Sequence, residues 1–287
     1  MALGLKLPAF SSLLVISLVA LAAFFVSNTK NTKTLEILEE NMAASQSALI
    51  IGATGQTGRH VLQTLLSNPH FTHVGEYGRR VTPSDEITVG KDKLEQKVID
   101  FEKLSESGLS QGKWDVVYIT LGTTKANAGS AEAFEKIDRE YVLNAAKAAK
   151  SSDPTRTQRI VYLSSMGASP TSMFLYPRSK GLTEQGLAEL GYNETIIFRP
   201  GFLAGTNRKD HRLAETLFGK VTGVLSAISD NMEIKVSALG KAIFEAGKLG
   251  SAGLPSSMGA KQEGKEGAKF TVIDNAGALK LSKLEDS

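Results

Sequence analysis

From residue 47 onward, short apolar runs alternate with stretches of helical periodicity. Ala48 to Ile51, Phe71 to Tyr77, Lys97 to Ile99, Asp115 to Leu121, Arg159 to Leu163, Thr195 to Phe198 and Lys269 to Ile273 read as strands. The fourth, DVVYITL, is continuous rather than alternating, as a central parallel strand buried on both faces requires. Between the runs, apolar residues recur at three- and four-residue steps. Val61, Leu62, Leu65 and Leu66 mark one helix, and Phe134, Ile137, Tyr141, Val142 and Ala145 mark a long one over Ala131 to Lys150. A further helix is predicted over Pro177 to Leu190. Strands alternating with helices predict right-handed crossovers and an α/β fold, a doubly wound parallel sheet of Rossmann type. Ser251 to Gly267, rich in Gly, Ser, Lys and Glu, predicts a surface loop. The strip after residue 200 is too short to fold alone, and is expected to cap the carboxyl edge of the sheet and shape a substrate pocket.

Phe10 to Val26 breaks this alternation. It is a 17-residue stretch without a charge, preceded by Lys6 and followed by Lys30 and Lys33. Its length sits at the lower limit for a spanning helix. No small-x-small cleavage site follows it, so the pattern predicts an uncleaved anchor. Residues 1–43 are then anchor and linker, and residues 44–287 one nucleotide-binding domain. Met42-Ala-Ala-Ser directly precedes the first strand, so translation starting at Met42 is a second reading of the same segment.

Composition narrows the chemistry. A chain of 287 residues, 41% hydrophobic and 22% charged, suits one larger α/β domain or two small ones. With no cysteine, disulfides, thiolate nucleophiles and Cys-ligated metals are excluded. His60, His70, His73 and His211 show no metal-ligand spacing on a helix face, so no metal site is expected. The net charge of +3 is slight, and no basic run carries interleaved aromatics. Nucleic acid is therefore not an expected partner.

Between the first strand and first helix stand Gly52-Ala-Thr54-Gly55-Gln56-Thr57-Gly58. Strand, tight glycine turn and helix N-terminus make a pyrophosphate cradle. Glycines let the backbone approach the ligand, and the free N–H groups of the first helical turn face its phosphates. The spacing is G-x-x-G-x-x-G rather than the usual G-x-G-x-x-G. An acidic residue about 20 positions on would bond an NAD ribose. Arg79 and Arg80 stand there instead, 21 and 22 residues after Gly58. A guanidinium fork suits a 2′-phosphate, so the pair predicts NADP(H), with a solvated basic pair as its other reading. Glu76 lies early and is expected to point elsewhere.

Tyr176 and Lys180 are four apart in YPRSK, which on a helix puts them on one face. Phenol ionises near pH 10, and a neighbouring ammonium favours the phenolate. Such a tyrosine can give a proton to a carbonyl oxygen as hydride reaches the carbon, while the lysine holds the nicotinamide ribose. Pro177, tolerated only in a first helical turn, puts Tyr176 at the helix start. Ser164 and Ser165 end the fifth strand, where a hydroxyl can orient the substrate carbonyl.

The ordered motifs GATGQTG, LGTT (Leu121 to Thr124), YLSSMGA (Tyr162 to Ala168), YPRSK and FRPG (Phe198 to Gly201) resemble the short-chain dehydrogenase/reductase superfamily, over roughly residues 47–250. Within it the chain resembles the atypical branch of Tat-interactive-type oxidoreductases, including a fungal mitochondrial outer-membrane member. The resemblance implies Ser165, Tyr176 and Lys180 as the catalytic set, with Ser164 the alternative serine. It implies Leu121 and Gly122 beside the adenosine half of the cofactor, Asp100 and Phe101 near the adenine, and Pro200 and Gly201 near the nicotinamide. The asparagine that many relatives carry on the long helix has no assured counterpart; Asn144 lies on that helix. The expected function is NADPH-dependent reduction of a small or lipophilic carbonyl. A non-catalytic NADP(H)-binding interaction or redox-sensing module is the alternative, and a purely structural Rossmann-like adaptor a weaker third. The expected location is the outer mitochondrial membrane facing the cytosol, with the endoplasmic reticulum membrane, or the cytoplasm if translation starts at Met42, as the other readings.

Overall fold

A computed structural model describes residues 46–205 and 232–284. Strands β1 (Gln46–Ile51), β2 (Phe71–Gly78), β3 (Leu94–Val98), β4 (Val116–Ile119), β5 (Arg159–Leu163), β6 (Glu194–Arg199), β9 (Lys261–Lys265) and β10 (Ala268–Asp274) form one sheet. Two three-residue strands, β7 (Phe202–Ala204) and β8 (Glu233–Lys235), pair separately. Helices α1 (Gly58–Ser67), α2 (residues 131–149), α3 (Leu175–Glu189), α4 (Val236–Gly253) and α5 (Asn275–Leu281) complete it. The sheet order is β3-β2-β1-β4-β5-β6-β10-β9, parallel throughout except for β9, which runs antiparallel to β10. The order reverses at β1 and β4, and the crevice at such a switch point is where a doubly wound sheet takes its ligand.

Strand pleating divides the core into two layers. Along β1, Ala48 and Ile50 face one cluster with Val61, Leu65, Leu239, Ile243 and Leu281. Leu49 and Ile51 face the other, with Val142, Ala146 and Leu187. Thus α1, α4 and α5 cover one face, and α2 and α3 the other. All four of these β1 side chains are fully buried, each contributing about 1.5–3 kcal/mol for the larger ones.

Four expectations need correction. The third strand runs over Leu94–Val98 rather than 97–99, because Val74 to Gly78 of β2 set its register. The fourth is shorter, Val116–Ile119, the four residues that pair with Ala48 to Ile51 of β1. The segment 251–267 is not a plain loop. It holds the end of α4, a 3₁₀ turn (Ser256–Met258) and β9, which pairs with β10 through a tight turn. The chain after 232 does more than cap the sheet, for β10 extends it and α4 packs on α1, β5 and β6. The apolar run 10–26 and most of the expected pocket segment 202–229 lie outside the described residues. No helix among the described residues is long and apolar enough to cross a membrane.

Candidate functional site

The glycine turn closes on backbone contacts. Gly55 N–H donates to the Gly52 carbonyl at 3.0 Å, and Arg59 N–H to the Gly55 carbonyl at 3.0 Å. Gly52 has φ +98°, and a Cβ there would lie 2.6 Å from the Leu121 nitrogen. A Cβ on Gly58 would lie 2.2 Å from the Gly52 carbonyl oxygen. These two positions therefore need glycine, one for its left-handed backbone and both for close approach. Leu121, beyond the end of β4, comes against this turn, whereas Gly122 lies beside the other end of the site: a Cβ on it would meet Asp138 Oδ1 at 3.2 Å and Lys180 Nζ at 3.4 Å. Thr54 and Gly55 are exposed, Thr57 is buried, and the Gln56 Oε1 is enclosed without a hydrogen-bond partner.

Arg79 and Arg80 are exposed just beyond β2. Glu76 is buried beneath their loop and fully engaged. Its Oε1 accepts from the Thr82 N–H at 2.8 Å and hydroxyl at 2.7 Å, and its Oε2 accepts from Gln96 Nε2 at 2.7 Å. The carboxylate is therefore turned into the loop, as expected. Asp100 is exposed beyond β3, and its Oδ1 accepts from the Glu102 N–H. The Phe101 ring is buried and stacks on Tyr141 at 5.1 Å.

At the other end, α3 begins at Leu175, so Tyr176 lies in its first turn and Lys180 one turn on. The loop carrying Ser165 folds back on this helix, with Ser169 N–H donating to the Pro177 carbonyl at 2.9 Å. The two serines differ. Ser164 Oγ donates to Glu184 Oε1 at 2.5 Å, and Glu184 in turn receives Arg199. Ser165 Oγ is enclosed and has no partner. Ser165 thus keeps the free hydroxyl, and Ser164 is spent on structure. Pro200 and Gly201 lie one strand over, tied in by Met166 N–H to the Pro200 carbonyl and by Gly201 N–H to Asn275 Oδ1, both at 2.9 Å.

Lys180 is 3% exposed. Its Nζ meets Asp138 Oδ1 at 3.1 Å, donates to Tyr162 Oη at 2.9 Å, and lies 5.9 Å from the Tyr176 ring centroid. Burial alone would strip the proton from this amine. The Asp138 carboxylate, with Tyr162 and Tyr176, outweighs that and holds the ammonium well above the ordinary lysine range. Burial pushes the Tyr162 hydroxyl up, against the pull of Lys180.

Asp138 escaped the sequence reading. It sits in KIDRE, which looks like a solvated helix face. In the structure Lys136–Glu140 is a π-helical turn inside α2, and such turns mark functional segments. Asp138 is fully buried and receives the Thr123 N–H at 3.3 Å on the same oxygen that meets Lys180. Asn144 is exposed on the same helix. The residue facing Lys180 from α2 is therefore an aspartate, not that asparagine.

A nicotinamide dinucleotide fits these groups. The glycine turn packs tightly on its own backbone with Thr54 and Gly55 exposed at its tip, and enclosed polar atoms of Gln56 and Ser165 have no hydrogen-bond partner. Among the described residues no group of three or more His, Asp or Glu could hold a metal ion.

Known proteins agree. A family model described as NAD(P)H-binding matches residues 52–227. Protein HTATIP2 of Rattus norvegicus is 36% identical over 191 residues, 67% of this chain and 76% of that one. Protein fmp52, mitochondrial, of Emericella nidulans is 36% identical over 204 residues, 69% of this chain and 85% of that one. Among solved structures, a short-chain dehydrogenase/reductase from Saccharomyces cerevisiae superposes with a TM-score of 0.52 at 13% identity. The match covers 80% of this chain and 96% of that one, a likeness of fold.

Proposed function

The chain belongs to the NAD(P)H-binding family of atypical short-chain dehydrogenases/reductases, and we propose that it is an NADPH-dependent reductase of a carbonyl substrate. The observation that carries this reading is the unbonded, enclosed Ser165 hydroxyl on the loop bonded to the first turn of the helix that carries Tyr176 and Lys180. When bound, the reduced nicotinamide supplies a hydride to the carbonyl carbon. Ser165 donates a hydrogen bond that orients the carbonyl oxygen. Tyr176 delivers a proton to that oxygen as it gains charge. Lys180, kept as an ammonium, steadies the charge passing through Tyr176 and holds the ribose hydroxyls. Arg79 and Arg80 take the 2′-phosphate, and Glu76, committed to Thr82 and Gln96, is not offered to a ribose 2′-hydroxyl. Fungal relatives are named mitochondrial, which supports placement at the outer mitochondrial membrane through residues 10–26.

Oxidation of NADPH by a panel of aldehydes and ketones tests the reading. Turnover is expected with at least one lipophilic or small carbonyl, and Tyr176→Phe should lower kcat by about 10²–10⁴-fold. NADPH affinity in that variant should stay within a few-fold. Tight NADPH binding with no turnover on any carbonyl would replace the reductase with a binding module.

A further inference from the structure

We propose that Asp138 is a positioning residue of this site, acting through Lys180 by fixing its ammonium under Tyr176 and keeping it charged. The inference rests on the reading of Lys180 as part of the reductase site. Three observations carry it. First, the pair is sealed: the Lys180 side chain is 4% exposed, that of Asp138 0%, and the atoms meet at 3.1 Å. An amine so placed loses its proton at neutral pH unless an opposite charge holds it. The charged and titratable groups that face Lys180 are Asp138 from α2, Tyr162 from β5 and Tyr176 from its own helix. Asp138 alone among them is a carboxylate. Second, the π-helical turn Lys136–Glu140 widens α2 at this residue, so the backbone is shaped locally at the point of contact. Third, Asp138 Oδ2 is enclosed without a partner. An apolar pair of similar volume often stabilises as well as a buried ion pair, so stability alone does not account for this one.

The consequence is a signed pH dependence. In the native protein Lys180 is held above its unfolded value near 10.4, so its contribution is fully present and flat from pH 7 to 9. In Asp138→Asn burial acts unopposed and the folded-state value falls below the unfolded one. The unfolded chain then binds more protons, and stability rises with pH. The melting temperature of Asp138→Asn should climb by about 2–4 °C per pH unit over part of this window, while that of the native protein stays level.

The test is thermal unfolding of the full chain from pH 7 to 9 for the native protein, Asp138→Asn, Lys180→Met and the double variant. Lys180→Met strands a buried carboxylate, so the double variant should melt higher than Lys180→Met. Rescue of this kind, and the rising profile of Asp138→Asn, support the proposal. A level profile in Asp138→Asn, or losses that simply add in the double variant, would overturn it. If Asp138→Asn does not fold, the comparison of the double variant with Lys180→Met decides. With a turned-over carbonyl in hand, the kcat of Asp138→Asn should fall across the same pH range. Should the native protein turn over nothing, the reductase reading and the positioning role fail together, while the melting profiles still decide whether Asp138 keeps Lys180 charged.

Discussion

The two ends of the nucleotide cleft are built by different means. At the glycine turn the geometry belongs to the backbone: Gly52 and Gly58 leave no room for a Cβ, and side chains contribute little. At the β5–α3 end, geometry belongs to buried charged side chains distant in sequence, with Asp138 on Lys180 and Glu184 on Ser164 and Arg199. A backbone site needs a particular residue at each of a few neighbouring positions. A side-chain site needs partners that no local pattern announces. The lesson is that nucleotide binding and the proposed chemistry can rest on separate supports and fail separately.

Substitutions can test that separation. The largest effect is expected for Gly58→Val, whose side chain would run into the Gly52 carbonyl and Thr120 Oγ1. NADPH affinity should drop about 100-fold, the upper end of what overpacking costs. A fluorescence titration measures this, and a change of only a few-fold would mean the backbone does not decide binding. Next, Arg79→Ala with Arg80→Ala should weaken NADPH by about 10–100-fold and leave NADH unchanged, the size expected for lost charge-assisted hydrogen bonds. Equal losses for both nucleotides would remove the 2′-phosphate role. The smallest effect separates the serines. Ser165→Ala should lower kcat about 10-fold with stability unchanged. Ser164→Ala should cost about 1 kcal/mol of stability and leave kcat within a few-fold. Reversed outcomes would exchange the two roles.

The same division explains what could be read in advance. The β1–turn–α1 unit was legible because glycine spacing and apolar periodicity are local signals, and β4, β5 and β6 because central strands are apolar on both faces. Edge strands carry no such signal. β9 reads Lys261, Gln262, Glu263, Gly264 and Lys265, polar almost throughout, and so it resembled a loop. β3 has no fully buried residue, and its limits slipped. Tyr176 and Lys180 were legible by their spacing, and Tyr162 by its strand, but not its bond to Lys180. Asp138 and Glu184 were not, since an acidic residue on a helix looks solvated until the fold shows what packs over it. The choice between Ser164 and Ser165 needed the structure too, because it depends on Glu184, 20 residues away.

Those polar edge strands have a further meaning for self-association. At one end of the sheet Glu95, Gln96 and Lys97 are exposed, and at the other Lys261, Gln262 and Lys265. A second molecule adding a strand at either end would have to dehydrate lysine and glutamate side chains along the whole seam. Growth of the sheet from molecule to molecule, the usual route to fibrils, is thereby disfavoured at both ends, and any pairing of copies is steered toward the helical faces.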